Sequence, residues 1–362
     1  MRVGFLALQA PGCSPSQRYR VEAFLDRWRA RGILVDYAWV LDRADLAVFY
    51  GAASPARKAA VAARALGRRL RSLAVRRAPD VWLVQREAFF LGGAWGEWLA
   101  GQRAPVVFDF DDAIWIRATS TANRRYAWLK NVDKIARAVG MADLVIAGNH
   151  YLAEWASAHA ARVHVVPTVV DTDHFVPADR GTTSGPVVIG WSGSASTIEH
   201  LRPLLPVFDR LAAHFGDRLS IRVMGDPGFT YAPLGLVGER WTPEDELALL
   251  RRMDIGVMPL PDDDWARGKC GLKGLVAMSV GAATVMSPVG VNAEIVQHGA
   301  NGFLASSADD WFEVLARLVD DADLRQRIGQ AGRETVVDRY SVQRWEPVLA
   351  GLLHEAAGAR RA

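Results

Sequence analysis

The sequence contains very little cysteine and no pattern of metal ligands. Cys13 and Cys270 are the only cysteines in 362 residues, and they lie far apart in the chain. Two isolated thiols form neither a disulfide framework nor a metal cluster, so we expect a reducing, cytoplasmic compartment and no metal site. Four histidines also lack metal-ligand spacing and are interpreted as structural: His150, His174, His200 and His298.

Long apolar segments and nucleic-acid signatures are absent as well. No stretch approaches the ~18 apolar residues that span a membrane. The apolar run in the opening MRVGFLALQAPG is too short for a secretory signal and fits a first strand. The formal charge of +3 is mildly basic and permits anionic ligands. Because neither zinc-finger spacing nor an RNA-binding aromatic motif accompanies it, we expect no nucleic-acid partner.

The apolar residues that are present form short runs separated by helix-period segments. Half of the residues are hydrophobic and 23% are charged, which suits two domains of about 150–200 residues. Such β-branched runs, bounded by turn residues, predict parallel strands covered by helices on both faces. The predicted strands are 3–8, 35–41, 81–85, 105–110, 143–148, 163–167, 186–193, 219–225, 254–260 and 282–287.

The strand pattern restarts after a polar stretch at 171–185, which we interpret as a domain junction. We predict two doubly wound, Rossmann-like α/β domains that face a central cleft. The first covers 1–170 and the second covers 171–341, and a C-terminal helix at about 342–362 is expected to cross back onto the first. Ligands of such sheets bind beyond the carboxyl ends of the strands, so the cleft is the expected site.

A glycine-rich loop in the second half has the features of a phosphate site. No G-x-G-x-x-G motif follows a first strand in either half, which argues against a dinucleotide cofactor. Gly268 and Gly271 let a ligand approach the backbone, and a helix predicted to begin near Leu272 points its N–H groups at that loop. Lys269 and Lys273, two of only five lysines, lie four residues apart and could clamp a diphosphate. Solvated lysines beside a helix start are the alternative.

The segment GAATVMSPVGVNAEIVQHGANGFLA, residues 281–305, resembles the donor-domain motif of retaining nucleotide-sugar glycosyltransferases of family four, which have the GT-B fold. Similarity extends to residues 254–265, 142–156 and 165–175. The resemblance implies transfer of a sugar from a nucleoside diphosphate sugar, UDP- or GDP-linked, to an acceptor hydroxyl in glycan biosynthesis, with retention of configuration. The acceptor would be a glycan, a lipid-linked compound or a small molecule. Neither a metal nor a cofactor is needed if lysines and a helix start carry the diphosphate charge.

The chain departs from that family at the donor site, which implies a divergent subgroup. Family members commonly carry two glutamates with seven residues between them, and these positions fall at Gly268 and Val276. An apolar side chain accepts no hydrogen bond from a ribose hydroxyl, and such a bond contributes about 0.5–1.5 kcal/mol. We therefore expect weaker donor binding, and a degenerate donor site is the alternative.

Other groups must then neutralise the diphosphate. A serine and glycine loop at 192–197 replaces the arginine and lysine that the family places after the first strand of the second domain. Trp241 falls in the family's nucleobase-binding loop, with simple packing as an equal alternative, and Glu294 matches a family glutamate. The expected donor-binding residues are Ser192, Gly193, Ser194, Trp241, Lys269, Gly271, Lys273 and Glu294.

The first domain offers acidic and basic candidates at strand ends. Asp111 and Asp112 follow the strand 105–110, and we expect them to be catalytic by orienting an acceptor hydroxyl or binding a sugar hydroxyl. The DFD triplet also mimics the metal-binding D-x-D of the GT-A fold, and Asp112 could simply cap a helix. The expected acceptor-binding residues are Gly12, Arg18 and Arg20 in the loop 9–20, and Arg86 and Glu87 after the strand 81–85. For the loop 9–20 the alternative is an ordinary turn, and for Arg86 and Glu87 it is a structural ion pair.

The segment 56–79 has eight basic residues and no acidic ones. On a helix, Leu66, Leu70 and Leu73 share one stripe, while Arg57, Arg64, Arg68 and Arg71 share another. A basic amphipathic helix of this kind could contact anionic lipid at the inner face of the membrane, which suits a lipid-linked acceptor. A helix packed on the sheet, with its arginines in solvent, is the alternative.

Two other functions fit the same pattern. A sugar-nucleotide epimerase would share the fold but would need its own acid and base carboxylates. A non-catalytic sugar-nucleotide-binding protein would explain why both glutamates are missing.

Overall fold

The computed structural model describes residues 1–74, 77–116, 132–178 and 185–359. Parts of two segments discussed above, 56–79 and 171–185, lie outside these ranges, as do residues 360–362 of the expected C-terminal helix. The chain divides into two compact units. The first unit contains Met1–Thr168 and Trp345–Ala362, and the second contains Val169–Arg344.

The first unit is built on a six-stranded parallel sheet in the order β2-β1-β3-β4-β5-β6. Its strands are β1 (Arg2–Leu6), β2 (Leu34–Ala38), β3 (Val81–Gln85), β4 (Val106–Phe110), β5 (Leu144–Ala147) and β6 (Val163–Val165). Its helices are α1 (Pro15–Arg20), α2 (Leu25–Ala30), α3 (Arg43–Tyr50), α4 (Pro55–Leu73), α5 (Trp95–Gly101), α6 (Asp133–Met141) and α7 (His150–Ser157).

The second unit contains a five-stranded parallel sheet in the order β13-β12-β11-β7-β8 and a small antiparallel pair, β9 with β10. Its strands are β7 (Val187–Ser192), β8 (Leu219–Met224), β9 (Thr230–Tyr231), β10 (Leu236–Val237), β11 (Ile255–Met258), β12 (Ala283–Met286) and β13 (Phe303–Leu304). Its helices are α8 (Leu205–Phe215), α9 (Glu246–Leu250), α10 (Asp264–Arg267), α11 (Leu272–Ser279), α12 (Asn292–Ile295), α13 (Ala308–Asp320) and α14 (Ala322–Tyr340). The last helix, α15 (Val342–Gly358), begins in the second unit and ends in the first.

The predicted fold class, two Rossmann-like α/β domains with parallel sheets, is confirmed. Each predicted strand is present, and the strands β9, β10 and β13 were not predicted. In each sheet the strand order reverses beside the first strand, because β1 lies between β2 and β3, and β7 lies between β8 and β11. Ligands of doubly wound sheets bind beyond the carboxyl ends of the strands at such a reversal. The loops after β1, β3, β7 and β11 are therefore the positions to examine.

Helix α4 packs on the first sheet through an unusual buried residue. Val61, Ala65 and Leu73 are buried with it in the core, and Arg69 is completely buried. The Arg69 guanidinium donates to the backbone oxygens of Ala7 at 2.7 Å, Ala38 at 3.0 Å and Ala88 at 2.7 Å. These carbonyls lie at the ends of β1, β2 and β3, so one side chain fixes the helix to three strands.

The arginine side of α4 is only partly in solvent. Arg64 pairs with Asp45 at 2.6 Å, and Arg68 pairs with Asp45 at 2.5 Å and with Asp42 at 3.1 Å. The leucines of α4 also differ in burial, since Leu73 is buried whereas Leu66 and Leu70 are exposed. No helix within the described ranges is long and apolar enough to cross a membrane.

We predict that Arg69→Met destabilises the first unit by about 3 kcal/mol or more, because the buried carbonyl oxygens of Ala7 and Ala88 lose the guanidinium that donates to them. Arg71→Met is the matched control, since Arg71 lies on the exposed side of the same helix and should cost less than about 0.5 kcal/mol. Urea unfolding followed by circular dichroism measures both. Equal losses in the two variants would contradict the assigned role of Arg69.

Candidate functional site

The loop before α11 has the geometry expected of a phosphate site. The helix begins at Leu272, as predicted, and its N-cap Gly271 has a φ of 71° with no side-chain cap. A side chain at Gly271 would be strained at this φ, and its Cβ would lie 2.3 Å from Ile295 Cδ1. The helix start therefore packs closely on the segment after β12 while its backbone N–H groups face the loop.

Lys273 connects this helix start to the loop after β7. Its ammonium group donates to Thr197 Oγ1 at 3.0 Å and lies 4.4 Å from the centre of the Trp191 ring. Trp191 is almost completely buried in the core of the second unit. The contact brings together the loops after β7 and β11, which are the two loops at the strand-order reversal.

The loop at 192–197 holds its own shape through short hydrogen bonds. Thr197 Oγ1 accepts from the Ser194 N–H at 3.0 Å, and the Gly193 N–H donates to the Met224 carbonyl at 2.9 Å. A Cβ at Gly193 would lie 2.3 Å from the Trp191 ring, so glycine is required there. The N–H groups of Gly193 and Ser194 have these partners within the unit, and donor binding through Ser192, Gly193 and Ser194 stays a prediction. The hydroxyls of this loop remain as candidates.

The two predicted lysines influence each other electrostatically. Lys269 precedes α11, and its ammonium group lies 4.7 Å from the centre of the Trp265 ring. Burial, followed by repulsion from Lys269, lowers the pKa of Lys273 to about 7. At neutral pH a lysine with this pKa is only partly protonated, and a nearby negative group favours its charged form.

The other expected donor contacts lie on the same unit. Val276 is only 4% exposed, so the position of the family's second glutamate points into the protein interior. Trp241 lies, partly exposed, in the segment between Glu239 and α9. Glu294 is exposed on α12, next to Ile295, which contacts the helix start. These placements leave the roles of Trp241 and Glu294 as predictions.

A charge network occupies the carboxyl ends of β3 and β4 in the first unit. Arg86 has a φ of 64°, the one positive φ outside glycine in the described ranges. Its N–H donates to the Asp109 carbonyl at 2.7 Å. Its guanidinium donates to Asp111 Oδ1 at 2.8 Å and to a carboxylate oxygen of Asp112. The positive φ thus positions one arginine against both predicted catalytic acids.

The environment of Asp111 favours its charged form. Burial alone would raise the pKa of this carboxyl, but Arg86, Arg20 and a hydrogen bond from Ser16 together outweigh burial and hold the pKa below its ordinary value. Asp111 is therefore a stable carboxylate at neutral pH. It suits the orientation of a hydroxyl better than the donation of a proton.

The acceptor candidates of the first unit have intramolecular partners. Arg20 is only 4% exposed; it pairs with Asp109 and donates to the Val166 carbonyl at 2.5 Å. The structure therefore does not support direct acceptor contact through Arg20. Glu87 pairs with Lys134 at 2.6 Å, so the alternative of an ion pair between Arg86 and Glu87 is not what the structure has, and acceptor binding through these two residues stays a prediction.

The loop 9–20 also makes hydrogen bonds within the first unit. The Gly12 N–H donates to Glu22 Oε2 at 2.9 Å, and the φ of Gly12 is 75°. Gln17 bonds to both backbone groups of Gln9, at 3.0 Å and 2.8 Å. Arg18 is partly exposed, with its guanidinium 5.2 Å from the centre of the Tyr19 ring. Acceptor binding through Gly12 and Arg18 stays a prediction.

Several site residues were not recognised in the sequence. Thr197, Trp191 and His200 all lie at the second-unit site, and His200 had been interpreted as structural. The one available signal was the polar stretch STIEH, which directly follows a buried strand and its glycine turn.

Across the described residues there is no group of three or more histidine, cysteine, aspartate or glutamate side chains able to hold a metal ion.

Comparison with known proteins gives a family match and a fold match. Residues 186–321 match the family model described as glycosyl transferases group 1. Comparison with curated proteins gives no match.

Three solved structures share the complete fold. Sucrose-phosphate synthase from Thermosynechococcus elongatus is 12% identical to this chain, with an alignment that covers 99% of each chain and a TM-score of 0.69. The Anabaena protein HepE in complex with UDP-glucose is 14% identical, with coverage of 98% of this chain and 100% of HepE and a TM-score of 0.68. A glycosyltransferase from Rickettsia africae is 13% identical, covers 99% of each chain and has a TM-score of 0.67.

These likenesses agree with the two parallel sheets and with the position of the phosphate-type loop inside the matched segment. The chain therefore has the GT-B fold of these structures, and its residues 186–321 are similar to the group 1 glycosyltransferase family.

Proposed function

We propose that this protein transfers a sugar from a nucleoside diphosphate sugar to an acceptor hydroxyl, with retention of configuration and without a metal ion. The observation that carries the proposal is the position of Lys273. Its ammonium group lies between Trp191 and Thr197 at the uncapped start of α11, beside a second lysine. The HepE structure contains UDP-glucose on the same fold, which supports a uridine or a related nucleotide as the donor.

The chemistry follows from charge development on the leaving group. When the bond between the sugar and the diphosphate breaks, negative charge grows on the bridging and terminal phosphate oxygens. Lys269, Lys273 and the positive end of the α11 dipole stabilise that charge, which is the role that a metal ion has in other transferases. A phosphate oxygen then accepts the proton of the attacking hydroxyl. The retaining stereochemistry rests on the family resemblance.

Asp111 and Asp112 are proposed to orient an acceptor hydroxyl. Both carboxylates are held by the Arg86 guanidinium, so their free oxygen lone pairs have fixed directions. We infer that an acceptor hydroxyl other than the attacking one donates to these carboxylates, because the single proton of the attacking hydroxyl goes to the phosphate oxygen. This is catalysis by positioning, which depends on a rigid hydrogen-bond acceptor.

We predict that Lys273→Ala weakens the binding of a nucleoside diphosphate by about tenfold to hundredfold, because a charge-assisted contact of about 1.5–3 kcal/mol is lost. Calorimetry with UDP, GDP, TDP, CDP and ADP first identifies the base. The affinity of Lys273→Ala for the nucleoside with the same base should hardly change, because a nucleoside has no phosphate.

Arg267→Ala is the control variant, because Arg267 is a nearby cation paired with Asp262 at 2.8 Å. It should bind the nucleoside diphosphate like the unmodified protein. An equal loss for nucleoside and nucleoside diphosphate in Lys273→Ala would remove the phosphate role of this lysine.

We predict that Asp111→Asn and Asp112→Asn lower the transfer rate by about a hundredfold or more while changing donor affinity by less than about threefold. The amides keep the shape of the acids but lose the charge that Arg86 holds. Product formation from radiolabelled donor and a panel of glycan and lipid-linked acceptors measures the rate. Unchanged turnover in both variants would exclude the acidic pair from catalysis.

Contact with an anionic membrane is proposed for the exposed side of α4. Leu66 and Leu70 are 39% and 46% exposed on it. Arg57 and Arg71 on the helix and Arg77 beyond it are also exposed. Apolar side chains next to cations match the surface of an anionic bilayer. Such contact would bring the protein to a lipid-linked acceptor.

Vesicle co-sedimentation tests this surface. The double variant Leu66→Glu with Leu70→Glu should bind phosphatidylglycerol vesicles about tenfold more weakly than the unmodified chain. Leu34→Glu should bind normally, since Leu34 is 55% exposed on a different element of the first unit. The proposal fails if the unmodified protein does not bind these vesicles at about 0.1 M salt.

A non-catalytic sugar-nucleotide-binding protein is the second candidate. The buried Val276 at the position of the usual glutamate favours it, because that position offers the donor no carboxylate. Tight binding in the nucleotide panel with no transfer and no isomerised sugar nucleotide would establish this candidate. An isomerised product without an acceptor would instead establish an epimerase.

A further inference from the structure

His200 lies at the end of the same loop that bonds to Lys273. The backbone N–H of His200 donates to the Thr197 carbonyl at 3.1 Å, and Thr197 Oγ1 accepts from Lys273 Nζ at 3.0 Å. The His200 ring is partly buried and is influenced electrostatically by both Lys273 and Lys269. His200 and Lys273 thus bond to the same residue, Thr197, in the loop at the strand-order reversal, and Lys269 acts on both electrostatically.

The acids that face this cluster have other partners. Glu199 pairs with Arg202 at 2.9 Å, and Asp263 caps α10 by accepting from the Ala266 N–H at 2.7 Å. Both still act on His200, but neither forms an ion pair with its ring within the described ranges. These two acids therefore offset the influence of the two lysines on His200 only in part. A group of like charges at partial burial is costly unless a ligand brings the opposite charge.

We propose that His200 is the third cation of the diphosphate site, and that the protein takes up protons when a sugar nucleotide binds there. This inference rests on the proposed donor site and adds a residue and a proton balance to it. In the free protein the cluster is incompletely protonated. The two phosphate charges of the ligand then favour the protonated forms of Lys273 and His200, and the protons come from solvent.

The direction of the effect follows from the two pKa shifts. Burial and repulsion lower the pKa of Lys273 to about 7. Burial, then the charges of Lys273 and Lys269, lower the pKa of His200 below its ordinary value, with Asp263 and Glu199 opposing. A bound anion raises both pKa values. Binding is consequently strongest below about pH 7 and weakens as the pH rises above it.

Calorimetry in buffers of different ionisation enthalpy measures the proton uptake directly. The probe is UDP-glucose, or the sugar nucleotide that the base panel selects, because its two bridged phosphates do not titrate near neutral pH. At about pH 7.5 we expect a net uptake of about half to one proton for each ligand bound. The association constant should fall about tenfold between about pH 6.5 and about pH 8.5.

Three variants identify the residues that take up the protons. Lys273→Arg keeps a permanent charge and should lose most of the uptake. His200→Gln should bind more weakly and take up fewer protons than the unmodified protein. His214→Gln should behave like the unmodified protein, since His214 is exposed elsewhere on the second unit.

A nuclear magnetic resonance titration of the His200 ring in the unmodified protein keeps the inference testable if His200→Gln does not fold. The ring pKa should rise by about one unit or more in the complex. An unchanged ring pKa, or the same proton uptake in His200→Gln as in the unmodified protein, overturns the inference. Binding without any proton uptake defeats this inference alone. Failure of every nucleoside diphosphate in the panel to bind defeats the proposed donor site as well.

Discussion

The structure of the second unit depends on one electrostatic constraint. An ammonium group that packs on a buried indole, bonds to a hydroxyl and lies near another lysine is in an unfavourable place without a negative partner. The surrounding elements nevertheless hold it there. Gly193 gives Trp191 the room it needs, Thr197 fixes the loop, and Gly271 starts the helix that carries Lys273. This arrangement is coherent for a site whose ligand supplies the missing charge.

In the first unit, by contrast, the acidic side chains have arginine partners within the same unit. Its three acids at the end of β4 are balanced by two arginines, with Arg20 on Asp109 and Arg86 on Asp111 and Asp112. The result is a pair of carboxylates held in fixed positions by one arginine at the carboxyl end of β4, with the pKa of Asp111 below its ordinary value. One unit thus holds bases that need an anion, and the other holds carboxylates ready to accept a hydroxyl proton in a hydrogen bond. The two sets of groups suit the two substrates of a sugar transfer.

The fold was largely predictable because its information is local. Buried parallel strands such as VWLVQ at 81–85 are short, continuous and apolar, and turn residues bound them. The strands β9, β10 and β13 contain two residues each, too few to give a periodic signal. The start of α11 was predictable from its glycines and from the following apolar residues.

The site was predictable only in part, because its contacts connect distant parts of the chain. The spacing of Lys269 and Lys273 showed that they share a neighbourhood, but Thr197 lies 76 residues from Lys273 in sequence. The pairing of Arg86 with Asp111 spans 25 residues and depends on a positive φ that no residue type announces. His200 carries no local signal beyond its place in the polar stretch that follows β7. Such contacts arise from the packing of strands, and sequence spacing does not contain them.

A crystal structure of the complex with a nucleoside diphosphate tests the central claim most directly. We predict a phosphate oxygen within about 3 Å of Lys273 Nζ, with the diphosphate at the start of α11 and beside Lys269. A diphosphate bound elsewhere, with Lys273 still bonded only to Thr197, would contradict it.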